Sequence, residues 1–214
     1  MAFDYVLFDL DGTLTDPYVG ITESVKYALN FFGKPIPDDE ALKQYIGPPL
    51  IWSFKELAGI TGDDTVKAVK KYRERYETIG WKENALLDGA EELLADLKKK
   101  GKILGLATSK PEKTSIQILE YFGIDRYFDF MGGASMDLTR NTKVQVVNYT
   151  LKNLGVADLS KAVLVGDRHH DIDGAKEAGI ASIGVLVGYG SRSELENAGA
   201  DYICETLADV EKIV

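Results

Sequence analysis

Asp9 and Asp11 stand two residues apart in FDYVLFDLDGTLT, residues 3–15, where an apolar run meets a pair of acids and a glycine. Val6, Leu7 and Phe8 predict a short buried strand, and Asp9-Leu10-Asp11-Gly12 predicts the turn that ends it. If extended geometry continues past the strand, side chains at i and i+2 share a face, so the two carboxylates should lie close together. Carboxylates so placed repel unless a cation or a shared proton intervenes. Mg2+ suits the position, because it accepts one or two carboxylates and keeps oxygen positions for water and a substrate phosphate. Gly12 frees the backbone for a tight turn, and with Thr13 it offers N–H and hydroxyl donors to an anion held beside the acids. The stretch therefore predicts a site for a cation and a phosphate together, although an isolated pair of this kind also reads as a solvated acidic turn.

The elements that must position these residues follow from periodicity. Residues 17–82 carry apolar side chains at helical spacing, with a helix through Ile21, Val25, Leu29 and Phe32, short helices at 38–45 and 50–58, and another over 63–79. No convincing strand lies in that segment. Past residue 87, helices and strands alternate: helix 89–100, strand 103–107, a helix opened by Pro111, a weaker strand 128–132, and helix 143–154. Strand 162–165, helix 171–178, strand 180–187, helix 191–198, strand 202–204 and a final helix complete the chain. Such alternation predicts an α/β fold with a parallel sheet sandwiched by helices. Ligands of these sheets sit beyond the carboxyl ends of the strands. Three of the strands here end in reactive or charged residues: Asp9 and Asp11, then Thr108, Ser109 and Lys110, then Asp167.

Taken together, DLDGT, the strand ILGLAT with Ser109 and Lys110, the later Lys143, and VGDRHHD resemble the haloacid dehalogenase-like superfamily of phosphohydrolases. The resemblance runs from residue 3 to about residue 188. It implies a Rossmann-like core formed by residues 1–16 and 83–214, with a small all-α cap domain, 17–82, inserted after the first strand. Asp9 is then the nucleophile that forms an aspartyl-phosphate, and Asp11 is the acid and base that protonates the leaving alcohol and activates water. Asp11 favours phosphoryl over halide chemistry, since the dehalogenase branch has no acid there. Gly12, Thr13 and Thr108, with Ser109 as a competitor, are implied phosphate ligands, and Lys143 neutralises the nucleophile and the phosphoryl group. Many members have a Lys-Pro pair where this chain has Thr142-Lys143-Val144, and Arg140 is the alternative cation. Asp167 is implied as a Mg2+ ligand beside Asp9 and the main-chain carbonyl of Asp11, with Asp171 binding metal-bound water or holding Lys143.

In the cap, Gly47-Pro48-Pro49 is the most distinctive stretch and is expected to contribute substrate specificity. Trp52 and Phe54 beyond it read either as a stacking surface or as core aromatics. Sugar-phosphate mutases of the superfamily commonly carry an arginine in a comparable loop, so the prolines argue against a mutase. The likeness is greatest to phosphoglycolate phosphatase-like and 5′-nucleotidase-like members. It implies hydrolysis of a small phosphomonoester, with an inorganic pyrophosphatase as one alternative and a regulatory phosphate-binding module without turnover as another.

His169 and His170 are the only histidines; as sequence neighbours they are expected to point in different directions, in an exposed loop or at the rim of the substrate site. Gly184, Gly188 and Gly190 lack the spacing of a dinucleotide fingerprint and read as turns. With 25 basic against 34 acidic residues, the net charge of −9 disfavours nucleic acid and anionic membranes as partners. A single cysteine, Cys204, excludes an internal disulfide and reads as a small buried hydrophobe. No apolar run approaches the ~20 residues of a membrane span, and the amino terminus lacks a secretion signal. A cytoplasmic protein acting on a small phosphorylated molecule is expected, with its oligomeric state open.

Overall fold

A computed structural model describes residues 3–137 and 139–214. β1 (Tyr5–Phe8) and β2 (Thr15–Asp16) are followed by α1 (Tyr18–Phe31), α2 (Asp39–Lys43), α3 (Leu50–Glu56) and α4 (Asp63–Tyr76). After β3 (Ala85–Leu86) come α5 (Ala90–Lys99), β4 (Ile103–Pro111), α6 (Glu112–Phe122), β5 (Phe130–Ala134), α7 (Lys143–Asn153) and β6 (Ala162–Gly166). The chain ends with α8 (His169–Ala178), β7 (Ala181–Val185), α9 (Arg192–Ala198), β8 (Tyr202–Cys204) and α10 (Leu207–Ile213).

Residues fall into two units, one running up to Asp16 and resuming over Leu86–Val214, the other comprising Pro17–Ala85. In the first unit six parallel strands form a sheet in the order β5-β4-β1-β6-β7-β8, flanked by helices. β1 is central, and Val6, Leu7 and Phe8 are fully buried, as expected of a strand covered on both faces. Leu7, Ala107 and Leu164 of adjacent strands pack against Val146, Val147 and Leu151 of α7 and Ala175 of α8. The chain leaves β1 toward β4 and later returns to β6 on its other side. That reversal opens a crevice at the carboxyl ends of these three strands.

Several boundaries differ from those expected. β4 runs on through Pro111, because a bulge between Thr108 and Pro111 lets it regain its pairing with β5 at Ala134. β5 starts two residues late, since Phe128 closes a 3-10 turn over Asp125–Tyr127. α8 starts at His169, where the Asp171 carboxylate accepts the Arg168 N–H in a cap. Gly184 lies inside β7, not in a turn, and a side chain there would strike Leu195.

The second unit has its own aromatic core. Phe54 lies edge-on to Tyr45 and Tyr72, with ring centroids 6.0 and 6.5 Å apart, and Tyr72 stacks on Tyr76 at 5.2 Å. Its carboxyl boundary falls after residue 85 and not 82, because Glu83 belongs with the helices. Arg75 grips the Glu83 carboxylate at 2.7 and 2.9 Å, and the Glu83 carbonyl accepts the Gly20 N–H. Of the two aromatics after the Gly-Pro-Pro stretch, Phe54 is core while Trp52 is half exposed. Gly47 takes φ 103°, a conformation only glycine adopts easily, and Pro49 caps α3. No helix among the described residues is long and apolar enough to cross a membrane.

Candidate active site

Asp9 directly follows β1, and its N–H donates to the Val165 carbonyl at 2.9 Å, which ties the first acid to β6. Asp167 follows β6, and Asp171 occupies the first turn of α8. One carboxylate oxygen from each of the three lies within 4.8 Å of the other two. Asp167 is fully buried; its Oδ2 accepts the Tyr189 N–H at 2.7 Å and its Oδ1 a longer bond from the Thr13 hydroxyl at 3.4 Å. Backbone crowds this carboxylate so closely that side chains are excluded. A Cβ at Gly12 or Gly188 would come within 2.4 or 2.3 Å of Oδ2, and one at Gly190 within 1.8 Å of the Asp167 carbonyl oxygen. Burial, followed by the charges of Asp171 and Asp9, raises the Asp167 carboxyl well above its ordinary range.

Lys143 supplies the opposing charge. It is the first residue of α7, behind a Thr142–Gln145 capping box, and is nevertheless buried. Nζ lies 2.9 Å from Asp9 Oδ1 and 2.7 Å from Asp171 Oδ1, and donates to the Ala107 carbonyl at 3.1 Å. Burial alone would lower the ammonium's pKa, but the Asp171 and Asp9 carboxylates outweigh it and keep Lys143 charged. α8 contributes room for the lysine stem, since a Cβ at Gly174 would stand 2.3 Å from Lys143 Cγ. Arg140, the alternative cation, is engaged elsewhere, 2.7 Å from Glu112 and stacked over Tyr149.

Asp11 does not join the three-acid cluster through its side chain. Lys110 Nζ holds it at 2.8 and 2.6 Å from its two oxygens, with both side chains largely buried. Burial raises the Asp11 carboxyl and Lys110 opposes that effect. Lys110 is the functional candidate that the motif reading left without a role. The signal for it lies in strand periodicity: Thr108 and Lys110 are buried on one face of β4 while Ser109 between them is exposed. Ser109 thus turns away from the face Thr108 presents. Thr108 Oγ1 accepts the Lys110 N–H at 3.2 Å, leaving its hydroxyl hydrogen to donate.

The donors expected of Gly12 and Thr13 are spent within the turn. Gly12 N–H donates to the Thr15 carbonyl at 2.7 Å, Thr13 N–H to the Leu10 carbonyl at 3.2 Å, and the Thr13 hydroxyl to Asp167. The pair shapes the turn and buttresses a carboxylate; with these donors committed, it does not aim them at an anion. Gly47, Pro48 and Pro49 belong to the second unit.

The histidines also differ from expectation. Their rings stand 3.8 Å apart, and His169 Nδ1 pairs at 2.7 Å with Glu194, which also accepts the His169 N–H and the Arg168 Nε–H. Burial would raise Glu194, but these bonds hold it down to about 2. His169 is thereby an anchor between α8 and α9. His170 is exposed.

Charge tests the fit of a metal ion. Asp9 Oδ1 and Asp171 Oδ1 are buried, with the Lys143 ammonium 2.9 and 2.7 Å away as their charged partner. Three buried carboxylates face one buried ammonium, so negative charge remains uncompensated in a low-dielectric setting. An all-oxygen donor set of this kind suits a hard divalent cation. The residues present fit such an ion.

Comparison with known proteins agrees with this geometry. The haloacid dehalogenase-like hydrolase family matches residues 6–185. A 5′-nucleotidase of Pseudomonas aeruginosa is 39% identical over 214 residues, spanning 100% of this chain and 96% of that protein. The tyrosine-protein kinase PtkA of Mycobacterium tuberculosis is 40% identical over 205 residues, covering 96% of this chain and 67% of the kinase. Among solved structures, a predicted phosphatase from Clostridium acetobutylicum superposes with a TM-score of 0.94 at 43% identity, covering 100% of this chain and 98% of that one.

Proposed function

Because the chain belongs to the haloacid dehalogenase-like hydrolase family, we propose that its three-acid cluster carries Mg2+-dependent hydrolysis of a small phosphomonoester through an aspartyl-phosphate. The single observation that carries the reading is the meeting of Asp9, Asp167 and Asp171 at the carboxyl edge of β1 and β6, with Lys143 paired to Asp9 and Asp171. Asp9 attacks phosphorus: its carboxylate forms a bond to the phosphoryl group as the ester oxygen departs with the bonding pair. Asp11 gives that oxygen a proton, then takes one from the water that displaces Asp9. Lys143 offsets charge on Asp9 and on the transferring group, and Thr108 donates its hydroxyl to a phosphoryl oxygen. Asp9, Asp167 and the Asp11 carbonyl would hold Mg2+, with Asp171 reaching it through water while fixing Lys143. The bound ion would supply charge neutralisation that lets an anionic nucleophile approach an anionic phosphate.

A nucleoside 5′-monophosphate is the leading substrate, supported by the relative named a 5′-nucleotidase; phosphoglycolate is the next, and pyrophosphate has no better support. Residues 17–85 would act as a cap that excludes water, with Gly47, Pro48 and Pro49 contacting the part of the substrate beyond the phosphate. A cytoplasmic setting accords with the lone, buried Cys204. Phosphate release should be measured, with and without Mg2+, from nucleotides, phosphoglycolate, tyrosine phosphate, pyrophosphate and an aryl phosphate, ranked by kcat/KM. Metal-dependent turnover lost in Asp9→Asn is expected. Inactivity throughout would leave a phosphate-binding module without turnover, and release of phosphate from pyrophosphate above all else would make it a pyrophosphatase.

A further inference from the structure

Lys110 touches two residues given a part in the mechanism, Thr108 and Asp11, but is not itself part of the three-acid cluster. Its side chain is 6% exposed, that of Asp11 is 16%, and Nζ lies within 2.8 Å of both Asp11 oxygens. A carboxylate on an irregular turn has several rotamers open to it, whereas one gripped at both oxygens has a single orientation. The backbone that carries the lysine is fixed too. Thr108 Oγ1 takes the Lys110 N–H, and the alternation of β4 buries Thr108 and Lys110 on one face while Ser109 is exposed. Lys143, by contrast, is held by Asp9 and Asp171 and has no ion pair with Asp11. The site therefore contains two lysines with separate partners, one for the nucleophile and one for the acid and base.

We propose that Lys110 is a positioning residue for Asp11, orienting its carboxyl toward the oxygen that leaves and the water that enters, and that it does not bind the transferring phosphoryl group. This rests on the phosphomonoesterase reading above. Proton balance is unchanged by it: Asp11 loses one proton to the leaving alkoxide and regains one from water, and Lys110 keeps its own throughout.

Leaving-group chemistry separates this role from others. An alkyl phosphate expels a strongly basic alkoxide and needs the proton, whereas 2,4-dinitrophenyl phosphate expels a stable anion and does not. A residue that acts through Asp11 must matter more for the first ester than for the second. In the full-length protein with Mg2+, kcat/KM should be measured for both esters in the wild type, Lys110→Met, Lys110→Arg, Asp11→Asn and the double variant K110M/D11N. Methionine keeps the unbranched stem, and arginine keeps the charge if methionine disturbs the turn. Lys110→Met should lose about 10²-fold on the alkyl ester and at least ~10-fold less on the aryl ester. Lys110→Arg should recover part of the alkyl loss, and the double variant should be no slower than Asp11→Asn on that ester, since both changes disable one unit. Equal losses of Lys110→Met on the two esters, or additive losses in the double variant, would overturn the assignment while leaving the phosphatase reading intact. A wild type that hydrolyses neither ester would overturn both.

Discussion

Removing the charge of Asp167 should make the metal-free protein more stable at alkaline pH while abolishing its response to metal. Asp167 is fully buried, and among the described residues no lysine or arginine forms an ion pair with it. Its partners are one strong hydrogen bond from the Tyr189 N–H and one long bond from Thr13. Burial and the neighbouring acids raise its folded pKa above the ordinary 3.8. Below that ordinary value both folded and unfolded chains hold the proton, and Asp167 costs nothing. As pH rises past it, the unfolded chain releases the proton and the folded chain does not, so this contribution to stability falls until the folded pKa is passed. A carboxylate buried without a cation costs about 3 kcal/mol at pH 8. Asp167→Asn keeps an acceptor for Tyr189 and removes that cost. In chelator-treated buffer its Tm at pH 8 should exceed that of the wild type by roughly 6–12 °C, given about 2–4 °C per kcal/mol for a chain of this size. The gap should close toward pH 4. Mg2+ at a hundredfold its Kd should stabilise the wild type by about 2.7 kcal/mol and the variant far less. Thermal unfolding across pH 4.5–8.5, with and without Mg2+, measures all of this. A metal-free variant less stable than the wild type at pH 8, or a gap that widens on acidification, would refute the reasoning.

Gly174→Ala would place a Cβ 2.3 Å from Lys143 Cγ, so Lys143 must leave Asp9 or α8 must shift. Phosphatase activity should fall by about 10²-fold, with a stability loss of ~1–3 kcal/mol seen in denaturant titration. Gly188→Ala meets the Gly12 carbonyl oxygen at 2.1 Å and Asp167 Oδ2 at 2.3 Å, and calorimetric titration should show weakened Mg2+ binding. Asp11→Asn should slow turnover by about 10²-fold or more yet bind Mg2+ with near wild-type affinity, because its side chain lies outside the acid cluster.

Much of this architecture was legible in the order of the amino acids. Apolar runs such as Val6–Phe8 report burial on both faces, and Gly or Pro punctuation separates helices from strands, so the parallel sheet could be read from alternation. The acids were legible too, since Asp9 and Asp167 directly follow strands whose apolar character is clear. Less visible was anything decided by contacts distant in sequence. That Thr13 would spend its hydroxyl on Asp167, 154 positions away, has no local signature. Neither has the pairing of Lys110 with Asp11, although the two-residue period of β4 already put that lysine on the face of Thr108. Gly188 lies in a bend and Gly190 in the loop beyond it rather than in turns, and only packing reveals that they clear room for Asp167. The histidines misled because adjacent residues point apart in a strand, whereas at the start of α8 their rings meet.

The parity of β4 sets which chemistry faces the crevice. Alternation gives a strand a parity, and here the even-numbered residues Thr108 and Lys110 are inward while Ser109 is outward. Deleting Ser109 would shift that parity by one. It would offer the strand a smoother ladder against β5 and at the same time swing the lysine to the solvent side, a frameshift in space with the composition of the site almost unchanged. For a lineage of such enzymes, single-residue insertion or deletion at this point is therefore a larger chemical step than substitution of any one side chain around it.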